Sequence, residues 1–324
     1  MPASHDAPSS TPASGTKPGN ASAQVPDVPS ATVLPGGEYI RERHDDGKRD
    51  MTRPPIPEPL GVPIYDNHTH LEIKDGEHFT YADALRAAEQ AGVAGVIQVG
   101  GDVESSQWSA ALAAQDRRVL AAVAIHPNEA PGYASAGTLA DALATIDELA
   151  AQPRVRAVGE TGLDFFRTGD DGRRAQFESF EAHIGIAKRH GIALQIHDRD
   201  AHDEVVETLL RVGAPETTVF HCFSGDEHLA RIAAEHGWYL SFAGTVTFSN
   251  AKNLHAALQV ADRSRILVET DAPFLTPAPF RGRPNSPYLT PLTVRFMAER
   301  LGVEADQLAA ETAENTLRAY GSWG

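Results

Sequence analysis

The chain has 324 residues, with 28 lysines and arginines against 44 aspartates and glutamates, and its formal net charge is −16. This surplus of negative charge argues against a protein held to nucleic acid by its overall field, and the single cysteine, Cys222, excludes an internal disulfide and fits a reducing compartment. No apolar run approaches the ~18 residues that a membrane span needs, and no secretory signal is visible, so we expect no membrane contact and a cytoplasmic location.

Residues 1–58 are predicted to form a disordered tail. The stretch is rich in Pro, Ser, Ala, Thr and Gly and shows no hydrophobic period. It has too little apolar surface to offset the entropy that ordering would cost. The alternative, that the tail wraps onto the domain, applies best to Val33-Leu34 and Tyr39-Ile40. Residues 59–324 are then expected to form one domain.

From Val62 onward, eight apolar runs rich in β-forming residues alternate with amphipathic stretches. The predicted strands are Val62–Asp66, Val93–Val99, Val119–Ile125, Val155–Gly159, Ile192–Ile196, Thr217–Phe220, Trp238–Phe242 and Ile266–Val268. The predicted helices are Tyr81–Gln90, Leu139–Ala151, Ala175–Arg189, Asp203–Leu210, Glu227–Glu235, Leu254–Val260, Leu292–Arg300 and Ala305–Tyr320.

This alternation predicts an α/β protein with the (β/α)8 TIM-barrel fold, in which strands read as continuous apolar runs because both faces are buried. A doubly wound open sheet is the alternative. It lacks support from a dinucleotide-binding fingerprint, because Gly159-Glu160-Thr161-Gly162 is not followed by the required third glycine.

Six of the eight predicted strands end on residue types that bind metal ions. These residues are His68 and His70, His126, Glu160, His197, His221 and Asp271. Because a barrel arranges its strand ends around one rim, they are predicted to converge on one pocket. Imidazoles and carboxylates without thiolate suit zinc, manganese or a related divalent ion.

Four of these histidines together with the two carboxylates are already too many for one tetrahedral catalytic ion that keeps an open position. They suffice for two ions if one carboxylate bridges, and paired ions stabilise both the attacking and the departing oxygen of a displacement. Glu160, which lies between the two histidine sets in the sequence, is the predicted bridge. Asp271 is expected to bind one ion and to accept a proton from the attacking water.

Several neighbouring residues carry alternative interpretations. Arg199, Arg281 and Arg283 are candidate phosphate clamps, or else ordinary surface arginines. Asp164 is expected either to orient a ligand or to cap the segment that follows it. Cys222 is predicted to point away from the metal side, because side chains alternate along a strand.

The strand-end residues lie in a series of motifs that resembles one known family. The motifs are Asp66-Asn67-His68-Thr69-His70-Leu71, Ala124-Ile125-His126-Pro127, Gly159-Glu160-Thr161-Gly162-Leu163-Asp164, Gln195-Ile196-His197-Asp198-Arg199, His221-Cys222-Phe223-Ser224-Gly225, Glu269-Thr270-Asp271-Ala272-Pro273 and Arg281-Gly282-Arg283-Pro284-Asn285-Ser286-Pro287. In this order they resemble the TatD family of metal-dependent deoxyribonucleases over about residues 62–320. The resemblance implies a TIM barrel of the amidohydrolase type and a cytoplasmic metal-dependent hydrolase that trims DNA from the 3′ end.

Carried over motif by motif, the resemblance implies a full two-ion site. His68, His70 and Asp271 would bind one ion and His197 and His221 the other, with Glu160 shared and His126 close to the phosphate. Two departures concern neighbours of these residues. Glu72 stands where an aspartate commonly follows the histidine pair, and Asn128 stands where a second histidine is frequent.

The sequence therefore predicts a deoxyribonuclease that uses two divalent ions (Zn, Mn or Mg) and a metal-bound water to hydrolyse phosphodiesters. Asp271, Glu160 and His126 are the predicted catalytic residues, and Arg199, Arg281 and His126 the predicted substrate-binding residues. The predicted substrate is single-stranded DNA or a frayed end, and a monomer is expected. One alternative keeps the site but cleaves a carboxylic ester, amide or lactone, including the aminoacyl ester of a mischarged tRNA. Another is a non-catalytic metal-binding or partner-binding protein.

Overall fold

The computed structural model describes residues 32–33, 39–43, 47–76 and 79–324. Its strands are β1 (Thr32–Val33), β2 (Tyr39–Glu42), β3 (Ile64–Thr69), β4 (Ile73–Lys74), β5 (Val93–Val99), β6 (Val119–Val123), β7 (Val155–Asp164), β8 (Ala193–Arg199), β9 (Thr218–Phe220), β10 (Tyr239–Phe242) and β11 (Ile266–Val268). Strands β3 and β5 to β11 form one parallel sheet whose spatial order follows the sequence. The predicted (β/α)8 barrel is confirmed, and each of the eight predicted runs contributes one strand.

The helices are α1 (Tyr81–Gln90), α2 (Val103–Gln115), α3 (Ala130–Ala136), α4 (Leu139–Ala150), α5 (Asp170–His190), α6 (His202–Val212), α7 (Glu227–His236), α8 (Lys252–Val260), α9 (Thr290–Leu301) and α10 (Ala305–Tyr320). Helices α2 and α3 were not predicted. None of the helices in the described ranges is long and apolar enough to cross a membrane.

Local sequence explains where these helices begin and which face they bury. At α1, the Thr80 hydroxyl accepts a hydrogen bond from the Asp83 amide, and the Asp83 carboxylate accepts one from the Thr80 amide. This capping box satisfies donors that the first helical turn leaves without partners. Leu85 and Ala88, three residues apart on one face, are then buried against the barrel.

Alternate residues of the strands belong to two different apolar layers. Val96 of β5 and Phe220 of β9 belong to the larger layer, which also contains the buried faces of the helices. Ile97 of β5 and Leu120 of β6 belong to a smaller cluster inside the barrel, which Tyr320 at the end of α10 joins. The core therefore leaves one rim of the barrel open for polar residues.

The barrel closes between β3 and the chain that follows β11, and we call this junction the seam. Thr69 and Ala272 form a parallel bridge. The Asp271 amide donates a hydrogen bond of 2.9 Å to the His68 carbonyl, and the His70 amide donates one of 2.8 Å to the Ala272 carbonyl. Three of the predicted metal ligands therefore lie on the seam itself.

Side-chain hydrogen bonds also join the two sides of the seam next to these ligands. The carboxylate of Asp66, which is fully buried, accepts hydrogen bonds from the amide and the hydroxyl of Thr270, at 2.8 and 2.5 Å. Asn67 donates a hydrogen bond of 2.7 Å to the Val268 carbonyl. Asp66 thus joins β3 to the chain after β11.

The predicted tail, residues 1–58, departs from expectation where the structure describes it. Strand β2 pairs in parallel with β4, and the Arg41 amide donates a hydrogen bond of 2.8 Å to the Glu72 carbonyl. The interpretation as a disordered tail therefore does not hold for residues 39–43 or for residues 47–58, whose contacts are given below. Disorder was predicted because the segment has little apolar surface. Backbone pairing and ionic contacts, which composition does not reveal, hold it in place. Residues 1–31, 34–38 and 44–46 lie outside the described residues.

Candidate metal centre

The predicted ligands meet at the open rim of the barrel, beside a cleft of about 580 Å³. Five strands supply the six predicted ligands: His68 lies within β3 and His70 just beyond it, Glu160 within β7, His197 within β8, His221 after β9 and Asp271 after β11. A sixth strand, β6, is followed by His126, which lies beside them. Ligand atoms from these residues form three groups, in each of which every donor atom lies within 4.8 Å of the others. The predicted convergence on one pocket is thus present in the structure.

The first group consists of His68, His70 and Asp271. The Nε2 atoms of His68 and His70 are 3.3 Å apart, and they lie 3.8 and 3.6 Å from Asp271 Oδ1. Asp271 has a φ of 51°, in the left-handed region, where the chain turns immediately after the seam. This turn brings its carboxylate to the two imidazoles.

Glu160 joins this group to a second set of imidazoles. Its Oε1 lies 3.8 Å from His70 Nε2, while its Oε2 lies 2.6 Å from His221 Nε2 and 3.4 Å from His197 Nδ1. Its Oε2 also lies 3.9 Å from His68 Nε2, so the carboxylate lies within 3.9 Å of imidazoles from both sets. This is the arrangement expected of a carboxylate shared between two ions.

The donor set and its spacing fit divalent ions. A tetrahedral ion with ligands at about 2.1 Å separates its donor atoms by about 3.4 Å, and the distances above cluster around that value. The second ring nitrogens of His70, His221 and His197 also fit, because each faces a group that can only accept a hydrogen bond. His70 Nδ1 lies 3.1 Å from the Val99 carbonyl, His221 Nδ1 3.2 Å from Glu269 and His197 Nε2 3.2 Å from Asp164. These nitrogens carry the proton and leave the opposite nitrogen free to bind an ion.

The charge of the site is set by burial and by the close approach of unlike groups. Burial alone would raise the pKa of Glu160, but His126, His221 and His197 outweigh it and hold that pKa well below its usual range. Burial raises the pKa of Asp271 to about 7, against the opposing effect of the nearby imidazoles. Burial opposes charge on His70, but Glu72, 3.6 Å from its Nδ1, and the other carboxylates raise its pKa to about 9.

These pKa values predict that ion affinity increases with pH. An ion binds only deprotonated ligands, so Asp271 and His70 must first lose their protons. For each proton displaced, the affinity for the ion increases about tenfold per pH unit. We expect the apparent affinity for Mn²⁺ to increase between about pH 6 and about pH 8. Calorimetric titration in two buffers of different ionisation enthalpy measures the affinity and the released protons together. An affinity that is constant over this range would contradict the prediction.

His126 belongs to the third group, with Glu160 and His197, yet its hydrogen bonds give it a different role. Its Nδ1 accepts a hydrogen bond of 3.0 Å from the Asn128 amide, so the proton of the neutral ring is on Nε2, 3.4 Å from Glu160 Oε1. Burial lowers the pKa of His126 to about 3, which keeps the ring neutral. His126 therefore presents an N–H donor beside the cleft, and its place near the phosphate, which the resemblance implies, stays a prediction.

The predicted substrate-binding arginines have different outcomes. Arg199 lines the cleft, with its guanidinium 3.9 Å from the centre of the Phe166 ring. Arg281 does not line the cleft. It lies over Phe248 at 4.3 Å, and the prediction that it contacts substrate has no support in this geometry. None of residues 276–288 lines the cleft, which the sequence could not indicate.

The two departures from the family motifs have visible contacts. Glu72 lies beside His70, and its carboxylate accepts a hydrogen bond of 2.6 Å from Gln98. Asn128 donates a hydrogen bond of 3.0 Å to Asp164, the carboxylate that holds His197. Both residues therefore orient groups that face the ligands.

The carboxylate of Glu269 was not predicted to belong to the site, and the thiol of Cys222 was predicted to point the wrong way. Glu269 is fully buried and accepts hydrogen bonds from His221 Nδ1 and from the Cys222 amide. Its position two residues before Asp271, and so on the same strand face, was an available signal. Cys222 lines the cleft instead of pointing away, because its φ of 42° interrupts the strand alternation. Burial raises the pKa of its thiol well above the usual range.

Comparison with known proteins places this geometry in a family. Residues 65–321 match the family model described as TatD related DNase. The chain belongs to the TatD family. The match spans the whole barrel from β3 to the end of α10 and includes all six predicted ligands.

Individual TatD relatives agree with this assignment. The chain is 43% identical over 265 residues to the uncharacterized metal-dependent hydrolase TatD of Mycobacterium tuberculosis, covering 80% of this chain and 98% of that protein. It is 32% identical over 258 residues to the uncharacterized metal-dependent hydrolase YabD of Bacillus subtilis, covering 79% and 98%. The crystal structure of YJJV, a TatD homolog from Escherichia coli, superposes with a TM-score of 0.71 at 28% identity, covering 79% and 97%. The protein is therefore a metal-dependent hydrolase with a His/Glu/Asp site.

Proposed function

We propose that this TatD protein is a deoxyribonuclease that removes nucleotides from the 3′ end of single-stranded or frayed DNA with the help of two divalent ions. The observation that carries the proposal is Glu160, which lines an open cleft and whose carboxylate lies within 3.9 Å of imidazoles from both sets of ligands. The description of the family model, TatD related DNase, supports the same activity. Zinc, manganese and magnesium are the candidate ions.

His68, His70 and Asp271 would hold one ion and His197 and His221 the other, with Glu160 between them. Such ions supply Lewis acidity, which polarises a phosphoryl oxygen and eases deprotonation of water. Asp271 Oδ1 lies at the inner end of the cleft and accepts the proton of the attacking water.

His126 acts on the opposite side of the phosphate. Water forms the new bond to phosphorus, and the bond from phosphorus to the 3′ oxygen of the preceding nucleotide breaks. His126 lines the cleft, and its Nε2 proton, 3.4 Å from Glu160 Oε1, donates a hydrogen bond to that departing oxygen, which then takes a proton from solvent. The products are a nucleoside 5′-monophosphate and a shortened strand with a free 3′ hydroxyl.

The mouth of the cleft compensates for the acidic surface of the domain. Arg167 and Arg199 both line the cleft, where they supply positive charge for a phosphate chain. Phe166, which precedes Arg167 in the chain, is 63% exposed and stacks on the Arg199 guanidinium. An exposed aromatic ring beside arginines suits an unpaired base, because every base has a face that stacks on it.

We expect Phe166→Ala to raise the KM for a single-stranded oligonucleotide about tenfold, because base stacking on an aromatic ring contributes about 1–3 kcal/mol. The kcat should change little, since Phe166 does not contact the ligands. Hydrolysis of methyl p-nitrophenyl phosphate, which has no base, should be unaffected. Leu210→Ala, which removes an equally exposed apolar side chain from α6, is the control. An unchanged KM for DNA would remove Phe166 from substrate binding.

The proposed function is tested by digestion of 5′-labelled single-stranded DNA with Mg²⁺, Mn²⁺ or Zn²⁺, beside the variant Asp271→Asn. A ladder that shortens from the 3′ end, needs the ion and is absent with the variant supports the proposal. A panel of carboxylic esters and lactones is assayed in parallel. Ester hydrolysis that is sensitive to the variant, without DNA cleavage with any ion, would overturn the substrate and leave the site standing.

A further inference from the structure

Residues 39–43 and 47–58 precede the family match, which begins at residue 65, and we call them the strap. The strap lies against two loops that flank the seam. The first loop, residues 71–76 and 79, follows β3 and His70. The second loop, residues 272–288, follows Asp271. Each loop thus continues directly from ligands of the first ion group.

Asp75 anchors the strap to the first loop. Its side chain is only 2% exposed, and its two oxygens accept hydrogen bonds of 2.8 Å each from the Arg49 guanidinium. Arg43 donates a further hydrogen bond to Asp75 at 3.2 Å, and Arg53 donates one of 2.7 Å to the Asp75 carbonyl. A buried carboxylate requires charged partners, and here the strap supplies two.

The same strap residues also hold the second loop. Arg49 donates a hydrogen bond of 3.0 Å to the Gly282 carbonyl, and Arg283 donates one of 2.7 Å to the Thr52 carbonyl. The hydroxyl of Tyr288 donates one of 2.8 Å to the Pro54 carbonyl. The strap therefore bridges the two loops across the seam.

Arg43 lies where the strap comes closest to the first ion group. It donates a hydrogen bond of 2.9 Å to the Pro273 carbonyl, and its guanidinium lies 4.8 Å from the centre of the Phe274 ring. Phe274 in turn packs edge-on against the ring of His70, and its amide donates a hydrogen bond of 2.8 Å to the Asp271 carbonyl. A chain of contacts thus runs from the strap to two ligands.

We propose that the strap is a clamp that positions the first ion group, with Asp75 as its anchor and Arg43 as its positioning residue. The seam that carries His68, His70 and Asp271 has few backbone bonds of its own, and the strap fixes the two loops that leave it. The inference depends on the ion group and not on DNA as the substrate. The clamp can therefore be disproved while the nuclease activity is confirmed. Equally, the nuclease activity can be disproved while the clamp is confirmed.

The test measures ion binding and loop mobility in Arg43→Ala. Calorimetric titration with Mn²⁺ should show one of two binding steps weakened about tenfold, the size of effect typical of residues that orient ligands. His70→Ala identifies the step that belongs to the first group. Hydrogen exchange of the ion-free protein should be faster in residues 272–285. Arg43→Lys, whose ammonium can still reach Asp75 and Pro273, should restore most of both properties.

Two further variants decide whether the effect belongs to the clamp. Asp75→Asn keeps the shape of the anchor but removes its charge, and it should weaken the same step even if Arg43→Ala does not fold. Arg295→Ala cuts only the contacts of Arg295 to the Glu58 and Pro59 carbonyls, at the far end of the strap, and should change neither property. Binding steps within twofold of the parent in Asp75→Asn, or an equal loss in Arg295→Ala, would overturn the proposal.

Discussion

Replacement of Asp271 by asparagine is expected to lower kcat for DNA hydrolysis about 10²–10⁴-fold, the range associated with loss of a general base. The amide keeps the shape of the side chain but cannot accept the proton of the attacking water. Asparagine tolerates a φ of 51° better than most residues do, and the backbone bond from residue 271 to the His68 carbonyl is unaffected. The barrel should therefore remain folded.

Asp271→Asn should be compared with Glu314→Gln, which removes a carboxylate that is 76% exposed on α10. Single-turnover digestion of a labelled oligonucleotide at saturating ion measures the loss, and thermal unfolding confirms the fold. Because asparagine can still offer an oxygen to an ion, ion binding should weaken far less than kcat. Activity within tenfold of the parent would exclude Asp271 as the base.

Replacement of Glu160 by glutamine is expected to weaken both ion-binding steps by at least about tenfold and to abolish detectable hydrolysis. Glu160 lies within 3.8 Å of His70 and within 3.4 Å of His197, and it meets His221 at 2.6 Å. The neutral amide removes the one negative charge common to both sets. It also directs an N–H group at nitrogens that must stay free for ions.

The comparison with His197→Ala makes the Glu160 prediction specific. Loss of His197 removes a ligand from one set only, and one binding step should weaken while the other stays within a few-fold. Titration with Mn²⁺ of the two variants and the parent protein separates these outcomes. If Glu160→Gln also affected a single step, the carboxylate would belong to one ion and would not be shared.

The fold and the convergence of the candidate ligands were largely visible in the sequence because they depend on local patterns. Strand runs such as Val93–Val99 are apolar except for Gln98, and helices such as Tyr81–Gln90 carry a capping residue and one apolar face. Helix α2 was missed because its buried positions include Ser105, Ser106 and Ser109, so no apolar face stands out. Its small side chains pack closely in a way that a hydrophobic period cannot reveal.

What the sequence could not show depends on partners far away in the chain. The order of residues 47–58 comes from Asp75 and from the loop after Asp271, so the composition of the segment alone suggested disorder. The direction of Cys222 depends on one backbone angle. The place of Arg281 depends on the course of a proline-rich loop, for which no periodic pattern exists.

The seam has a consequence for how the protein is made. Asp66 and Thr270, whose hydrogen bonds join the two sides of the seam, are 204 residues apart in the chain. Contacts between residues so far apart form late in folding, because closing a long loop is entropically costly. His68, His70 and Asp271 meet only when that closure is complete. An incompletely synthesised or partly folded chain thus lacks the assembled first group of candidate ligands. Ion capture then favours the finished barrel, by about 2.7 kcal/mol when the ion is at a hundred times its Kd.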